Sequence, residues 1–250
     1  MKHIIVVTSG KGGVGKTTTA VNIGKSLAEL GNKVLLIDGD MGLRNIDIML
    51  DLQDNIMHDY GDILKGHIAP EKAIVWTGID NLYLLNSPQI DDGLVLTPED
   101  MTAIATYWEH IMDYVIIDCP AGIGQGFKNA IAPATIAIIV TLSEPIAIRD
   151  ADRAIGLLEK EELLTQYLVI NRVRRDWIKK GKTLPISDVI EMMGIDTLGI
   201  IPEDSDISRL VGDSVLGAPR RSDAAKAFMN IARRIEGEAV PLIRLRRKPK

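Results

Sequence analysis

The sequence has one cysteine, four scattered histidines and no long apolar run. Cys119 cannot form an internal disulfide, and two copies of the chain would bring too few thiols for a four-thiolate iron–sulfur cluster. The histidines lack the spacing of metal ligands. No stretch approaches the roughly 20 apolar residues of a membrane span, and the N-terminal run IIVV is too short for a signal peptide. We therefore expect a cytoplasmic protein.

Aromatic residues are also few, at 4% of the 250 residues, whereas apolar residues make up 46%. A chain of this length and composition is able to bury one sizeable core. That core should be mostly aliphatic, as is usual where helices cover a parallel sheet. The composition therefore favours a single α/β domain.

The net charge of −5 is unevenly distributed. The segment 233–250 carries seven Lys or Arg residues against two Glu, a local charge of +5, so the rest of the chain carries −10. An acidic body gives no reason to expect strong or specific nucleic-acid binding, which requires clustered cations on the folded surface. The sequence thus divides into an acidic domain over residues 1–237 and a basic tail over 238–250.

Short β-branched runs alternate with segments of helical periodicity along the chain. HIIVVTS, KVLLIDGD, LYLLNS, DYVIIDC, TIAIIVTL, QYLVINRV and TLGIIP are typical of buried strands. Helices are predicted in KTTTAVNIGKSLAELG, PEDMTAIATYWEHI, AIRDADRAIGLLEKEE, PISDVIEMM and SDAAKAFMNIARRIEG. This alternation predicts a mostly parallel, twisted sheet with helices on both faces and a ligand crevice at the carboxyl ends of the strands.

The stretch SGKGGVGKTT satisfies two nucleotide-binding patterns at once. Its first six residues after Ser9 fit the dinucleotide pattern G-x-G-x-x-G, and Asp38 follows at about the distance of a ribose-binding acid. The longer pattern G-x-x-x-x-G-K-T, which ends in Lys16 and Thr17, is a phosphate loop. Only the phosphate-loop pattern assigns a function to Lys16 and Thr17, because the lysine neutralises phosphate oxygens and the hydroxyl ligates Mg²⁺. We predict that ATP with Mg²⁺ is held by the loop residues Gly10, Lys11, Gly12, Gly13, Val14, Gly15, Lys16, Thr17 and Thr18.

Two further acids favour triphosphate chemistry over hydride transfer. Asp118 closes the apolar strand YVIID, which is the position of a Walker B carboxylate that holds the water shell of the metal. Asp40 lies two residues beyond Asp38 and begins the loop GDMGLRNID, which is suited to move when a γ-phosphate arrives or leaves. The sequence therefore predicts a single-domain P-loop NTPase.

A second lysine, Lys11, follows the first glycine of the loop, and KGGVGKTT resembles the signature of the deviant Walker A ATPases. The resemblance implies that Lys11 reaches the phosphates bound by the other subunit of an ATP-dependent homodimer. A cation supplied in this way acts as an arginine finger does. The alternative is an ordinary solvated loop lysine.

Within that superfamily the chain resembles the MinD family over nearly its whole length to about Gly237. DGDMGLRNIDIML is similar to the first switch of that family, DCPAGI with QGFKNAI to the second, and VINR and IPED to the adenine loops. The likeness implies that Asp40 positions the attacking water and that Asp38 supports the magnesium site beside Thr17 and Asp118. It also implies a base pocket formed by Asn171, Pro202 and Asp204.

The sequence departs from the family pattern in two places and leaves simpler interpretations open. Gly124 replaces an acid in the second switch, and SVLGAP lacks the polar sequence of the family. Asp38 and Asn171 are also residue types that commonly cap turns at strand ends. Cys119 is expected to be a small buried side chain rather than a reactive thiol.

The family likeness implies an ATPase switch that places the division site. It would recruit an inhibitor of MinC type to the membrane and be released by an activator of MinE type or by a topological factor. The alternative is an ATPase of ParA or FlhG type that positions DNA or flagellar cargo.

The tail VPLIRLRRKPK is similar in place to the membrane-binding helix of MinD proteins but is short and lacks aromatic residues. Pro241 and Pro249 leave about two turns, which are unstable alone in water. Two tails on one dimer would reinforce each other, so ATP-dependent peripheral association with an anionic membrane is expected. A solvated basic tail, or one that touches nucleic acid, is the alternative.

Overall fold

The computed structural model describes residues 3–42, 44–88, 95–204 and 222–243. Within these residues the chain forms one eight-stranded sheet. The strands are β1 His3–Thr8, β2 Val34–Asp38, β3 Ile74–Trp76, β4 Leu82–Leu85, β5 Tyr114–Asp118, β6 Ile136–Leu142, β7 Gln166–Val173 and β8 Asp196–Pro202.

Helices connect the strands on both faces of the sheet. They are α1 Lys16–Glu29, α2 Ile46–Leu50, α3 Tyr60–Leu64, α4 Pro98–Glu109, α5 Gln125–Ile131, α6 Pro145–Lys160, α7 Arg175–Lys179, α8 Ile186–Met193 and α9 Asp223–Ile235. Two short 3₁₀ turns lie at Gln53–Asn55 and Pro70–Lys72. None of the helices among the described residues is long and apolar enough to cross a bilayer.

The strand order is β3-β4-β2-β5-β1-β6-β7-β8. Every neighbouring pair is parallel except β3 with β4, which is an antiparallel pair at the edge. The predicted single-domain α/β fold, with a mostly parallel sheet and helices on both faces, is confirmed. The antiparallel β3 was not predicted, because its three residues follow a 3₁₀ turn and carry no extended apolar run.

The core lies in two layers, one on each face of the sheet. Strand β5 divides its side chains between them: Val115 and Ile117 pack with α4, α5 and α6, whereas Tyr114 and Ile116 pack with α1 and α9. This alternation follows from the pleat, which points successive side chains to opposite faces. Because β5 and β1 lie at the centre of the sheet, the residues that follow them are held by a rigid, fully buried support.

Candidate nucleotide-binding site

The phosphate loop joins β1 to α1 at the centre of the sheet. Its backbone needs glycine at two places, since Gly13 and Gly15 have φ of 79° and 94°, in the left-handed region. Gly10 is required for a different reason: a Cβ there would lie 1.7 Å from the carbonyl oxygen of Asp150 in α6. The loop is therefore wedged against α6 and ends at the N-terminus of α1, where backbone amides attract anions.

The two loop lysines have different environments. Lys16 is only 8% exposed. Burial raises the pKa of the nearby Asp40 and Asp118 carboxyls, and the charge of Lys16 offsets part of that rise. Lys11 is half-buried, and within the described part of the chain its side chain makes no hydrogen bond or ion pair. Lys16 thus serves the site of its own chain, whereas Lys11 remains available to another molecule.

Asp118 and Thr17 form the expected metal-binding end of the site. Burial, more than any other cause, raises the pKa of Asp118 to about 7, against a hydrogen bond from Thr17. One carboxylate oxygen, Oδ1, is buried and has no hydrogen-bond partner among the residues that the structure describes. An orphaned buried acceptor beside a hydroxyl fits a hydrated cation, since Mg²⁺ keeps several waters and takes its remaining ligands from phosphates and a hydroxyl.

Among the described residues, no three His, Cys, Asp or Glu side chains are grouped as a metal-binding cluster. P-loop sites need no such cluster, because the phosphates and waters supply most of the metal ligands. The predicted residues Thr17, Asp38 and Asp118 fit a magnesium ion bound together with nucleotide. Asp38 and Asp118 are register partners on β2 and β5.

Asp38 holds the first switch loop through hydrogen bonds to its backbone. It is fully buried, and its carboxylate accepts hydrogen bonds from the backbone amides of Asp40 (2.9 Å), Asn45 (3.0 Å) and Ile46 (3.2 Å). Burial raises the pKa of Asp38, and these three amides partly offset that effect. One carboxylate thus anchors the loop that carries Asp40, which is the capping role considered above. Its support of the magnesium site stays a prediction.

Contacts that were not predicted hold the other side of this loop. Arg44, with φ of 38°, donates from Nε to the Ser87 carbonyl at 2.6 Å and forms a 3.0 Å ion pair with Asp59. The Ser87 hydroxyl donates to the Asp40 carbonyl at 3.0 Å. These partners lie 15 to 47 residues apart in sequence, so no local signal indicated them.

The predicted base-binding residues come together at the ends of β7 and β8. Asn171, Pro202 and Asp204 line one cleft with Thr18, Arg172 and Glu203. Asn171 also donates from its amide to the Val14 carbonyl at 2.9 Å, while its Oδ1 accepts from the Arg172 amide at 2.8 Å. Its contact with the phosphate loop was not predicted, and its role in reading the base stays a prediction.

Cys119 behaves as the small buried side chain that was expected. It is 2% exposed, and burial raises the pKa of its thiol to about 12, so it stays protonated at neutral pH. The segment likened to the second switch forms α5 from Gln125 onward, a helix that was not predicted, and its role as a switch stays a prediction. SVLGAP lies outside the described residues, as do residues 244–250 of the tail.

Comparison with known proteins agrees with this geometry. The ParA family model, described as "NUBPL iron-transfer P-loop NTPase", matches residues 1–236. The septum site-determining protein MinD of Bacillus subtilis is 44% identical over 97% of this chain and 92% of its own length. MinD of Thermotoga maritima is also 44% identical, over 97% of this chain and 91% of its own.

Solved structures give the same result. MinD in the MinC:MinD complex of Aquifex aeolicus superposes with a TM-score of 0.87 at 39% identity, and covers 97% of this chain and 98% of that chain. MinD of Pyrococcus horikoshii, complexed with Mg-ADP, superposes with a TM-score of 0.83 at 29% identity over 94% and 96% of the two chains. The chain therefore belongs to the MinD family of ParA-type P-loop NTPases.

Proposed function

We propose that this protein is a Mg²⁺-dependent ATPase that dimerises around ATP and places the division site by recruiting a division inhibitor to the membrane. The observation that carries the proposal is the arrangement of Asp38. Its carboxylate holds the switch loop through three amides and lies in register beside Asp118, the acid of the metal site. The nucleotide site and the switch loop are thus joined through one side chain.

The residues divide the chemistry among themselves. The loop amides and Lys16 bind the phosphates. Thr17 and Asp118 would hold a magnesium ion, which when bound would supply positive charge to offset that of the phosphates. Asp40 is half-buried near Lys16 and carries a pKa that burial raises and Lys16 lowers. Asp40 orients the attacking water, and Lys11 of a second copy offsets the charge that develops in the transition state.

The partners follow from the family. The solved complex of a MinD with MinC from Aquifex aeolicus supports an inhibitor of MinC type as the partner of this chain. Release would require an activator of MinE type or a topological factor.

The iron-transfer activity in the description of the family model is not favoured, because the only cysteine is buried and protonated. The plasmid partition structures of Borrelia burgdorferi are 22–24% identical, so their likeness is evidence for the fold and not for a partition role.

Residues 238–250 are proposed to bring the dimer to an anionic membrane. The start of this segment is tied to the domain: Arg234 donates to the Val240 carbonyl at 2.8 Å, and Ile243 packs against both core layers. The basic residues that follow are worth about 1 kcal/mol each near an anionic surface, so a single tail binds weakly and a pair binds together.

Removal of residues 244–250 is expected to abolish ATP-dependent binding to anionic vesicles. A chain that ends at Ile243 keeps the packed residue and is the matched variant, because its domain should stay intact. Co-sedimentation with anionic and with zwitterionic vesicles, each with MgATP and with MgADP, measures the effect. Full-length protein should pellet only with anionic vesicles and MgATP. Equal pelleting of the intact and shortened chains would remove the membrane role of the tail.

A further inference from the structure

The end of strand β7 directs two consecutive side chains toward the phosphate loop. Ile170 pairs with Ile200 and Val173 with Pro202, so β7 contains one residue more than β8 in this interval, which is a β-bulge. Arg172 lies within it with φ of 51°, in the left-handed region that non-glycine residues rarely adopt. Such backbone strain persists where the surrounding structure imposes it and is often found at functional sites.

The bulge changes where the side chains point. In a regular strand, consecutive side chains face opposite sides of the sheet. Here both reach adjacent carbonyl groups of the loop: Asn171 Nδ2 donates to Val14 at 2.9 Å, and Arg172 Nη1 donates to Gly13 at 3.3 Å. The Asn171 side chain packs closely against the loop, since a Cβ on Gly15 would lie 2.4 Å from Asn171 Nδ2.

Holding these carbonyls also orients the amides that bind phosphate. In a trans peptide the C=O of one residue and the N–H of the next point in opposite directions. When Arg172 holds the Gly13 carbonyl, it turns the Val14 N–H the other way, and Asn171 does the same for the Gly15 N–H through Val14. A charged donor on the carbonyl also polarises the peptide and strengthens its N–H as a donor.

We propose that Arg172 is a positioning residue for the triphosphate. It acts through the Gly13 peptide to preorganise the phosphate loop, and not by reading the base. The inference rests on the proposed function, in that the loop is taken to bind ATP. It gives a function to a strained backbone at an exposed arginine.

The test compares three substitutions at this position. Arg172→Asn keeps a residue that tolerates the left-handed conformation but removes the cation, and Arg172→Gly removes both the cation and the strain. Arg172→Lys keeps the positive charge but lacks the planar guanidinium group with its fixed hydrogen-bond donors. For each full-length variant we would measure the melting temperature without ligand, and the affinities for MgATP and for inorganic tripolyphosphate with Mg²⁺ by calorimetry.

The Asn and Gly variants should melt without ligand at or above the wild-type temperature. Their affinity for ATP and for tripolyphosphate should fall by the same factor, about five- to tenfold, as expected for one lost charge-assisted hydrogen bond. The Lys variant should recover part of the loss. Unchanged affinity for tripolyphosphate, a loss confined to ATP, or a matching fall in melting temperature would each overturn the inference. A wild-type chain that bound neither ligand would overturn the proposed function and this inference with it.

Discussion

Replacing Lys11 with alanine is expected to lower ATP hydrolysis by about 10³-fold, the effect of removing an arginine finger, while ATP binding to the single chain is kept. The reason is that the Lys11 side chain makes no hydrogen bond or ion pair with the described residues of its own chain, whereas Lys16 is buried beside Asp40 and Asp118. Steady-state hydrolysis as a function of protein concentration measures the effect. Lys33→Ala, at an exposed lysine remote from the loop, is the control.

Mixing two inactive variants provides the sharper form of this experiment. Asp40→Ala lacks the residue that orients the water but still carries Lys11. In a mixed dimer, the site on the Lys11→Ala subunit has its own Asp40 and receives Lys11 from its partner, so one complete site forms. Hydrolysis should therefore reappear on mixing. Normal cooperative hydrolysis by Lys11→Ala alone, or no recovery in the mixture, would contradict the shared site.

Gly10→Ala is expected to lower the free energy of unfolding by more than about 3 kcal/mol and to abolish nucleotide binding. The added Cβ would lie 1.7 Å from the Asp150 carbonyl oxygen and 2.9 Å from the Ala151 nitrogen. These are backbone atoms of α6, so the clash cannot be relieved by rotation of a side chain. We therefore expect a loss of stability above the usual cost of overpacking, which is about 1–3 kcal/mol. Denaturant unfolding and ATP titration measure the two effects.

The same helix supplies a matched control. Gly156 lies in the middle of α6 with no atom within 4 Å of an added Cβ. Gly156→Ala should therefore stabilise the protein by about 0.5–1 kcal/mol, since glycine is unfavourable inside a helix. A Gly10→Ala protein that unfolded and bound ATP like the wild type would show that α6 does not press on the loop.

Much of the architecture was predictable because its signals are local. The seven predicted strands are short and mostly aliphatic, as is typical of strands that are buried on both faces. The loop residues and the acids at the ends of β2 and β5 were predicted as binding residues because phosphate and magnesium chemistry require particular residue types at particular spacings. The structure brings Asp38 and Asp118 side by side because their strands are neighbours in the sheet.

The rest of the site depends on contacts between distant residues. Arg44 contacts Asp59 and the Ser87 carbonyl. These two partners belong to separate parts of the chain, which meet only in the folded protein. The bulge at Arg172 is equally hidden, because it arises from the count of residues in β7 relative to β8. The sequence alone shows an Asn-Arg pair at a strand end, but not that both side chains reach the phosphate loop.

The central claim is that two copies close around two ATP molecules, and light scattering of Asp40→Ala tests it most directly. This variant should bind ATP without consuming it, so the assembled state accumulates. With saturating MgATP the measured mass should double from the 27.4 kDa of one chain, and with ADP or no nucleotide it should stay at one chain. A single-chain mass with bound MgATP at high protein concentration would contradict the claim.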